Sequence, residues 1–206
     1  MKEHWDRIYT DTEDNRLSWY EEFPAPAVKM LSECRLQKDE AILIAGAGTS
    51  TFVNYLAEKG FTKIYASDIS SSALFKLKKN LGPVLSRHVT FIADDLTAPA
   101  GLNELSSIAL WYDRAVLHFF TEEHQRLNYF ALMNKIVKPG GYAILAEFSF
   151  EGPKKCSSLD TFNYDEILLQ KYAGADFELT SHFNYRYITP SGIERDYIYT
   201  LFRKRD

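Results

Sequence analysis

Residues 41–45 (Ala-Ile-Leu-Ile-Ala) are apolar without interruption and end at Gly46, which is how a short strand buried on both faces reads. From Thr49 to Lys59 the apolar positions fall at 52, 53, 56 and 57, a helical spacing closed by Gly60. The alternation then repeats. Residues 63–67 predict a second strand that ends at Asp68. Ser70 can cap a helix running to Asn80 and stopped by Gly82-Pro83. His88–Ala93 and residues 107–112 predict the third and fourth strands. Thr121 opens a helix with an acidic first turn that ends near Val137; Lys138-Pro-Gly-Gly makes a turn, and Tyr142–Phe148 is the fifth strand. Asp165–Lys171 suits a further helix.

Strands that alternate with helices predict a parallel sheet covered on both faces. The end of the chain differs. Phe177–Ile188 and Ile193–Arg203 are rich in β-formers and are joined by Thr-Pro-Ser-Gly, a hairpin signal. The expected fold is therefore α/β, with a seven-stranded, mostly parallel sheet closed by a C-terminal antiparallel hairpin. Residues 41–206 would form this core. Residues 1–40 stand apart within the same single domain: Trp5, Tyr9, Trp19, Tyr20 and Phe23 precede a helix from Pro26 to Cys34.

Length and charge narrow the picture. The 206 residues fit one domain. Lys plus Arg number 24 against 28 Asp plus Glu, a net charge of −4, which argues against a duplex nucleic-acid binder because neutralising phosphates needs a basic surface. No apolar run approaches the ~20 residues that span a bilayer. Met-Lys-Glu-His-Trp-Asp-Arg at the N-terminus has no apolar core and is not a signal peptide. The chain reads as soluble and cytoplasmic. Two cysteines, Cys34 and Cys156, are too few for a disulfide framework or a Cys-rich zinc site, and no cluster has metal spacing, so no metal is expected. The 14 Phe, 13 Tyr and 3 Trp predict either a ring-rich core or an aromatic-lined pocket.

The candidate chemistry starts at Ala45-Gly46-Ala47-Gly48, between a buried strand and a helix. Glycine lets the backbone turn sharply and approach a ligand, and the helix N-terminus offers amides. Asp68 ends the next strand, where a carboxylate can accept from ribose hydroxyls. The third glycine of the dinucleotide fingerprint is absent, with Thr51 in its place. The chain also closes on a hairpin. Both points weigh against a nicotinamide cofactor and toward S-adenosylmethionine.

Four segments then follow in order: Ile-Leu-Ile-Ala-Gly-Ala-Gly-Thr, Ala-Ser-Asp-Ile-Ser, Val-Thr-Phe-Ile-Ala-Asp-Asp-Leu and Val-Lys-Pro-Gly-Gly-Tyr. In this series the chain resembles the class I S-adenosylmethionine-dependent methyltransferases, most closely over residues 40–150. The resemblance implies a Rossmann-like sandwich and S-adenosylmethionine as cofactor. It implies that Ala45, Gly46, Ala47 and Gly48 border the methionine part, that Asp68 holds the ribose and that Ile69 packs on adenine. Asp95 would accept the adenine amine and Leu96 would touch the ring. Asp94 stands where the family often has Gly, so either acid could face adenine.

Trp111-Tyr-Asp-Arg-Ala115 leaves the fourth strand on the substrate side. It resembles the Trp-Asp-Arg-Gly-Ala stretch of thiopurine-type methyltransferases and is also similar to the Asp-Lys-Gly stretch of some protein lysine methyltransferases. Asp113 is the first candidate for orienting the nucleophile or accepting its proton, and it also borders the cofactor. Arg114 and His118 are its candidate catalytic neighbours. The rings Trp5, Tyr9, Trp19 and Tyr20 are expected to form a lid over cofactor and substrate. Residues 149–163 make a long loop in which Gly152, Pro153, Cys156 and Ser157 match a Gly-Pro-x-x-Cys-Ser pattern of similar methyltransferases; Cys156 is a substrate-pocket candidate. Arg203-Lys-Arg reads as a solvated tail. The expected function is methyl transfer to a small-molecule acceptor, for which the resemblance offers a thiol or other soft nucleophile as one candidate. A protein lysine N-methyltransferase, a non-catalytic cofactor-binding regulator and a nicotinamide dehydrogenase are the alternatives.

Overall fold

The computed structural model describes all residues, 1–206. All five residues of β1 (Ala41–Ala45) are buried. Their side chains divide by the period of two: Ile42 and Ile44 join one core, and Ala41, Leu43 and Ala45 the other. The first core is covered by α2 (Ala25–Leu31), α3 (Thr51–Glu58) and α4 (Ser71–Leu85). The second is covered by α5 (Glu123–Ile136) and α6 (Glu166–Ala173). A sheet buried on both faces needs apolar residues at every position, and β1 supplies them.

The remaining strands of the sheet are β2 (Ile64–Asp68), β3 (Val89–Ala93), β4 (Ile108–Arg114), β5 (Val137–Phe148), β8 (Phe177–Ile188) and β9 (Glu194–Lys204). Their order is β3-β2-β1-β4-β5-β9-β8. The first five are parallel; β9 runs antiparallel between β5 and β8. The strand order reverses direction between β1 and β4, and there the carboxyl ends of neighbouring strands open a crevice. The expected seven-stranded sheet with its closing hairpin is the one observed. A two-residue ladder, β6 (Lys155–Cys156) with β7 (Leu159–Asp160), lies inside the expected loop 149–163.

Several boundaries differ from expectation, each for a local reason. Gly82 does break α4, with φ 67° and ψ 178°, but the helix resumes for a turn behind it; Pro83 suits the first position of a resumed turn. The α5 cap is Glu122, not Thr121: Glu122 N–H donates to Gln125 Oε1 at 3.2 Å within a capping box. β5 begins at Val137, because Lys138-Pro-Gly-Gly bulges out of the β4 ladder without ending the strand. β4 runs on through Asp113 and Arg114. The solvated tail is corrected too: Arg203 and Lys204 finish β9, and Lys204 Nζ donates to the carbonyls of Asn134 and Val137.

The N-terminal segment contributes a helix missed in the sequence, α1 (Lys2–Asp11). It packs on α4. Asp6 accepts from Ser70 Oγ (2.7 Å), and Lys76 Nζ donates to the carbonyls of Tyr9 and Thr12, each at 2.8 Å. The chain then crosses to α2, whose Ala27 and Met30 enter the first core.

Candidate active site

The crevice at the β1–β4 switch point has two ends. At the first, Gly46 and Gly48 turn the chain between β1 and α3 with φ of 63° and 50°, a region open to glycine and costly for other residues. There is also no room for a side chain. A Cβ on Gly46 would lie 2.0 Å from Val116 Cγ2, and one on Gly48 would lie 2.3 Å from the Tyr9 hydroxyl. Ser50 caps α3 by accepting from Phe52 N–H at 3.2 Å.

Asp68 ties this turn to the end of β2. One carboxylate oxygen accepts from Gly48 N–H and the other from Ser70 N–H, both at 2.8 Å. Burial pushes its carboxyl up to about 6, against the two amide bonds that favour the charged form. Ser70 is bonded in turn to Asp6 of α1, so α1, Asp68 and the glycine turn form one chain of hydrogen bonds. After β3, Asp94 uses both oxygens on the amides of Asp95, Ala100 and Leu102. Asp95 uses only Oδ1, on Thr97. The two acids differ: Asp94 shapes the loop, and Asp95 Oδ2 accepts no hydrogen bond from the protein.

The second end is built from large side chains. Trp5 meets Trp19 and Phe119 edge-on, at centroid distances of 5.7 and 5.0 Å, and Trp19 meets Tyr9 at 6.0 Å. Arg114 comes from β4. Its Nη1 donates to the Trp19 carbonyl at 2.8 Å, and its Nε donates to the Tyr199 hydroxyl at 3.1 Å with Glu21 Oε2 at 3.2 Å. The guanidinium lies 5.0 and 5.1 Å from the Tyr187 and Tyr197 rings. Burial raises the Glu21 carboxyl above its ordinary range, with Arg114 opposing. Tyr112 and Cys156 complete the wall, and Arg195 Nη1 donates to Cys156 Sγ at 3.3 Å.

One cleft brings together Ala45, Gly46, Ala47, Gly48, Asp68 and Ile69 with Asp94, Asp95 and Leu96. It also takes in Trp5, Tyr9, Trp19, Tyr20, Arg114 and Cys156. Asp113 and His118 do not line it, and both are wholly buried. Because β4 extends past Asp113, strand alternation sends Arg114 to the cleft and Asp113 to the opposite face. There Asp113 accepts from Tyr129 Oη (2.7 Å) and Val116 N–H (3.2 Å) and holds the turn after β4. Burial and the nearby Glu147 raise its carboxyl far above the usual range. The His118 ring stacks on Phe148 at 4.2 Å, and burial holds it neutral. Its Nδ1 lies 2.9 Å from Glu147 Oε2, yet neither ring nitrogen has hydrogen-bond geometry; the sound bond is from His118 backbone N–H to Glu147 (3.0 Å). Neither Asp113 nor His118 can orient a nucleophile from behind the wall. Glu21, Tyr112 and Gln125 line the cleft and were missed. Glu21 carries no local motif, and Tyr112 looks like any core ring of β4.

Residues 42–141 match the family model described as a methyltransferase domain. No curated protein matches the chain by sequence. Among solved structures, an S-adenosylmethionine-dependent methyltransferase from Anabaena variabilis is similar at TM-score 0.79 and 13% identity, over 99% of this chain and 93% of that one. The N-methyltransferase NodS from Bradyrhizobium japonicum, in complex with S-adenosylhomocysteine, gives 0.72 and 14%, over 100% and 98%. The 1,6-didemethyltoxoflavin-N1-methyltransferase of Burkholderia thailandensis, with bound 1,6-didemethyltoxoflavin and S-adenosylhomocysteine, gives 0.64 and 20%, over 97% and 81%. Residues 42–141 thus match a methyltransferase domain, and the whole chain shares the fold of these S-adenosylmethionine-dependent methyltransferases. No helix is long and apolar enough to cross a membrane.

Proposed function

We propose that the chain methylates a small molecule bound at the aromatic end of the cleft, under a lid formed by residues 1–40. The carrying observation is how that end is roofed. Residues of the N-terminal segment are tied to four other elements: Asp6 to the Ser70 cap of α4, the Trp19 carbonyl to Arg114 of β4, the Tyr20 carbonyl to the Tyr187 hydroxyl of β8, and the Glu21 carbonyl to Thr51 of α3. A roofed cavity suits a compact acceptor better than a polypeptide.

The residues present fit the cofactor. The side-chain-free turn at Gly46 and Gly48 would cradle its methionine part, Asp68 would accept from the ribose, and Asp95 Oδ2 would meet the adenine amine. When bound, it supplies an electrophilic methyl group on a positively charged sulfur. The protein's part is to align the acceptor, exclude water and take a proton. A thiol acceptor would call for a free cation to favour the thiolate. Arg114 is the only Lys or Arg in the lining and is paired with Glu21, which favours a hydroxyl or N–H acceptor instead.

The test is an incubation with methyl-labelled S-adenosylmethionine and an extract of the cells that express the protein, followed by separation by mass. Label in the small-molecule fraction is the expected result. Label on protein lysines would replace this reading with the lysine methyltransferase, and no transfer at all would leave the regulatory one.

A further inference from the structure

Arg114 is held from three sides and left open on the fourth. Its side chain is 9% exposed. Nη1 and Nε have partners, whereas Nη2 is buried without one, in a residue that lines the cleft. A buried donor left unpaired is costly, and the Tyr187 and Tyr197 rings lie against the guanidinium. Beside it, the Glu21 side chain is 10% exposed, and its Oε1 accepts no hydrogen bond from the protein. Asp68 and Asp94 have both oxygens on backbone amides, and Asp95, which also keeps one oxygen free, lies at the glycine end of the cleft. An unpaired donor and a free carboxylate oxygen therefore stand on paired residues at the aromatic end.

Charge then selects what they can read. The pair is neutral as a unit and nine-tenths buried. With the uncharged sulfur of S-adenosylhomocysteine beside it, a further carboxylate or ammonium would place an uncompensated charge in a dry site, which is strongly unfavourable. A neutral group that accepts from Nη2 and donates to Glu21 leaves the balance intact. Trp19, Tyr112 and Phe119 offer flat apolar faces on the same cleft.

Resting on the methyl-transfer reading above, we propose that Glu21 and Arg114 form the acceptor subsite, and that the acceptor is an uncharged planar molecule of the phenol or hydroxy-N-heterocycle class. Arg114 Nη2 donates to its ring nitrogen or oxygen, and Glu21 accepts from its O–H or N–H. As the acceptor's lone pair bonds to the methyl carbon, its O–H or N–H bond breaks and the proton passes to the Glu21 carboxylate. The electron pair of the broken carbon–sulfur bond stays on sulfur.

The experiment ranks four probes (phenol, 2-hydroxypyridine, benzoate and benzylamine) by ligand-observed NMR titration, on wild type and Glu21→Gln, each with and without saturating S-adenosylhomocysteine. The affinity of each protein for S-adenosylhomocysteine, measured first, reports folding, and failure of wild type to bind it would refute the methyltransferase reading itself. Wild type should bind the two neutral hydroxy probes about tenfold tighter than the charged ones, the worth of one charge-assisted hydrogen bond. Glu21→Gln leaves Arg114 unbalanced and should invert the order in favour of benzoate. A preference of wild type for benzoate or benzylamine, or the same ranking in both proteins, including no binding by either, would overturn the subsite.

Discussion

The two ends of the cleft are made of different material. The end proposed for the cofactor is backbone: a glycine turn, the first amides of α3, and short acids at the ends of neighbouring strands. Asp68 reaches Gly48 N–H across one strand spacing. The proposed acceptor end is assembled from long side chains far apart in sequence, with Glu21, Arg114 and Tyr199 on the N-terminal segment, β4 and β9. The first kind of site follows from strand–turn–helix geometry and tolerates little change. The second depends on which large residues the surrounding elements present, and can be altered without touching the first.

The largest expected effect breaks the backbone end. Gly46→Ala would force a left-handed φ on a residue with a Cβ and drive that Cβ to 2.0 Å from Val116 Cγ2. Strain and overlap together should cost about 3 kcal/mol or more, seen as a lowered urea midpoint, and binding of S-adenosylhomocysteine should be lost in calorimetry. Retained binding would mean that the turn does not cradle the cofactor.

Asp68 gives the next effect, and its sign depends on pH. Burial raises its carboxyl from 3.8 to about 6, with Asp6 adding to the rise. The folded state therefore holds the extra proton between these values, and the stabilisation it brings is lost as pH rises through about 6. Ligand binding runs the other way, because ribose hydroxyls need the carboxylate. S-Adenosylhomocysteine affinity should fall as pH drops below about 6. Asp68→Asn should abolish that dependence and weaken binding at pH 7 by a factor of ten to a hundred, about 1.5–3 kcal/mol for bonds to a charged group. A flat calorimetric pH profile for wild type would remove Asp68 from the ligand.

The same division explains what the sequence could reveal. The glycine turn, Asp68 and the acids after β3 are local signals attached to predictable strand ends, so they were legible with the order of the elements. Helix α1 was not, because its apolar face is made of aromatics that also suit a loop. Glu21 was not legible, since its partner is Arg114 and nothing local marks the pair. Asp113 was misread through a boundary: a strand taken to end at 112 leaves both 113 and 114 in a turn, whereas a strand through 114 sends them to opposite faces.

Glu147 sharpens the comparison from behind the acceptor end. It packs with Asp113, His118 and Tyr164 near Arg114, and burial pushes its carboxyl from 4.5 to about 8. Its proton stabilises the fold at low pH, and that contribution disappears as pH rises through about 8. Between pH 7 and 9 wild type should lose about 1 kcal/mol that Glu147→Gln, a neutral isostere, keeps. Melting temperatures of the two proteins across that range would show it. Parallel curves would mean that the acid is already ionised in the fold.

The smallest effect lies where the two ends meet. Ala115 follows Arg114 with φ 66°, a left-handed conformation for a residue with a Cβ. The turn is imposed from both sides: Ala115 N–H donates to Ala146 carbonyl at 2.9 Å, and Asp113 Oδ1 accepts from Val116 N–H at 3.2 Å. These bonds hold the strain, which costs about 1 kcal/mol. Ala115→Gly would relieve it but free the unfolded chain and remove a half-buried methyl group, so the net gain should be about 0.5 kcal/mol in urea denaturation. The sharper consequence is for the acceptor end. A strained residue fixes the direction in which Arg114 leaves β4, so a more stable Ala115→Gly protein should discriminate less between neutral and charged probes. Cofactor affinity, set by the other end, should not move. If both changed together, the two ends would be one mechanical unit and the contrast between them would fail.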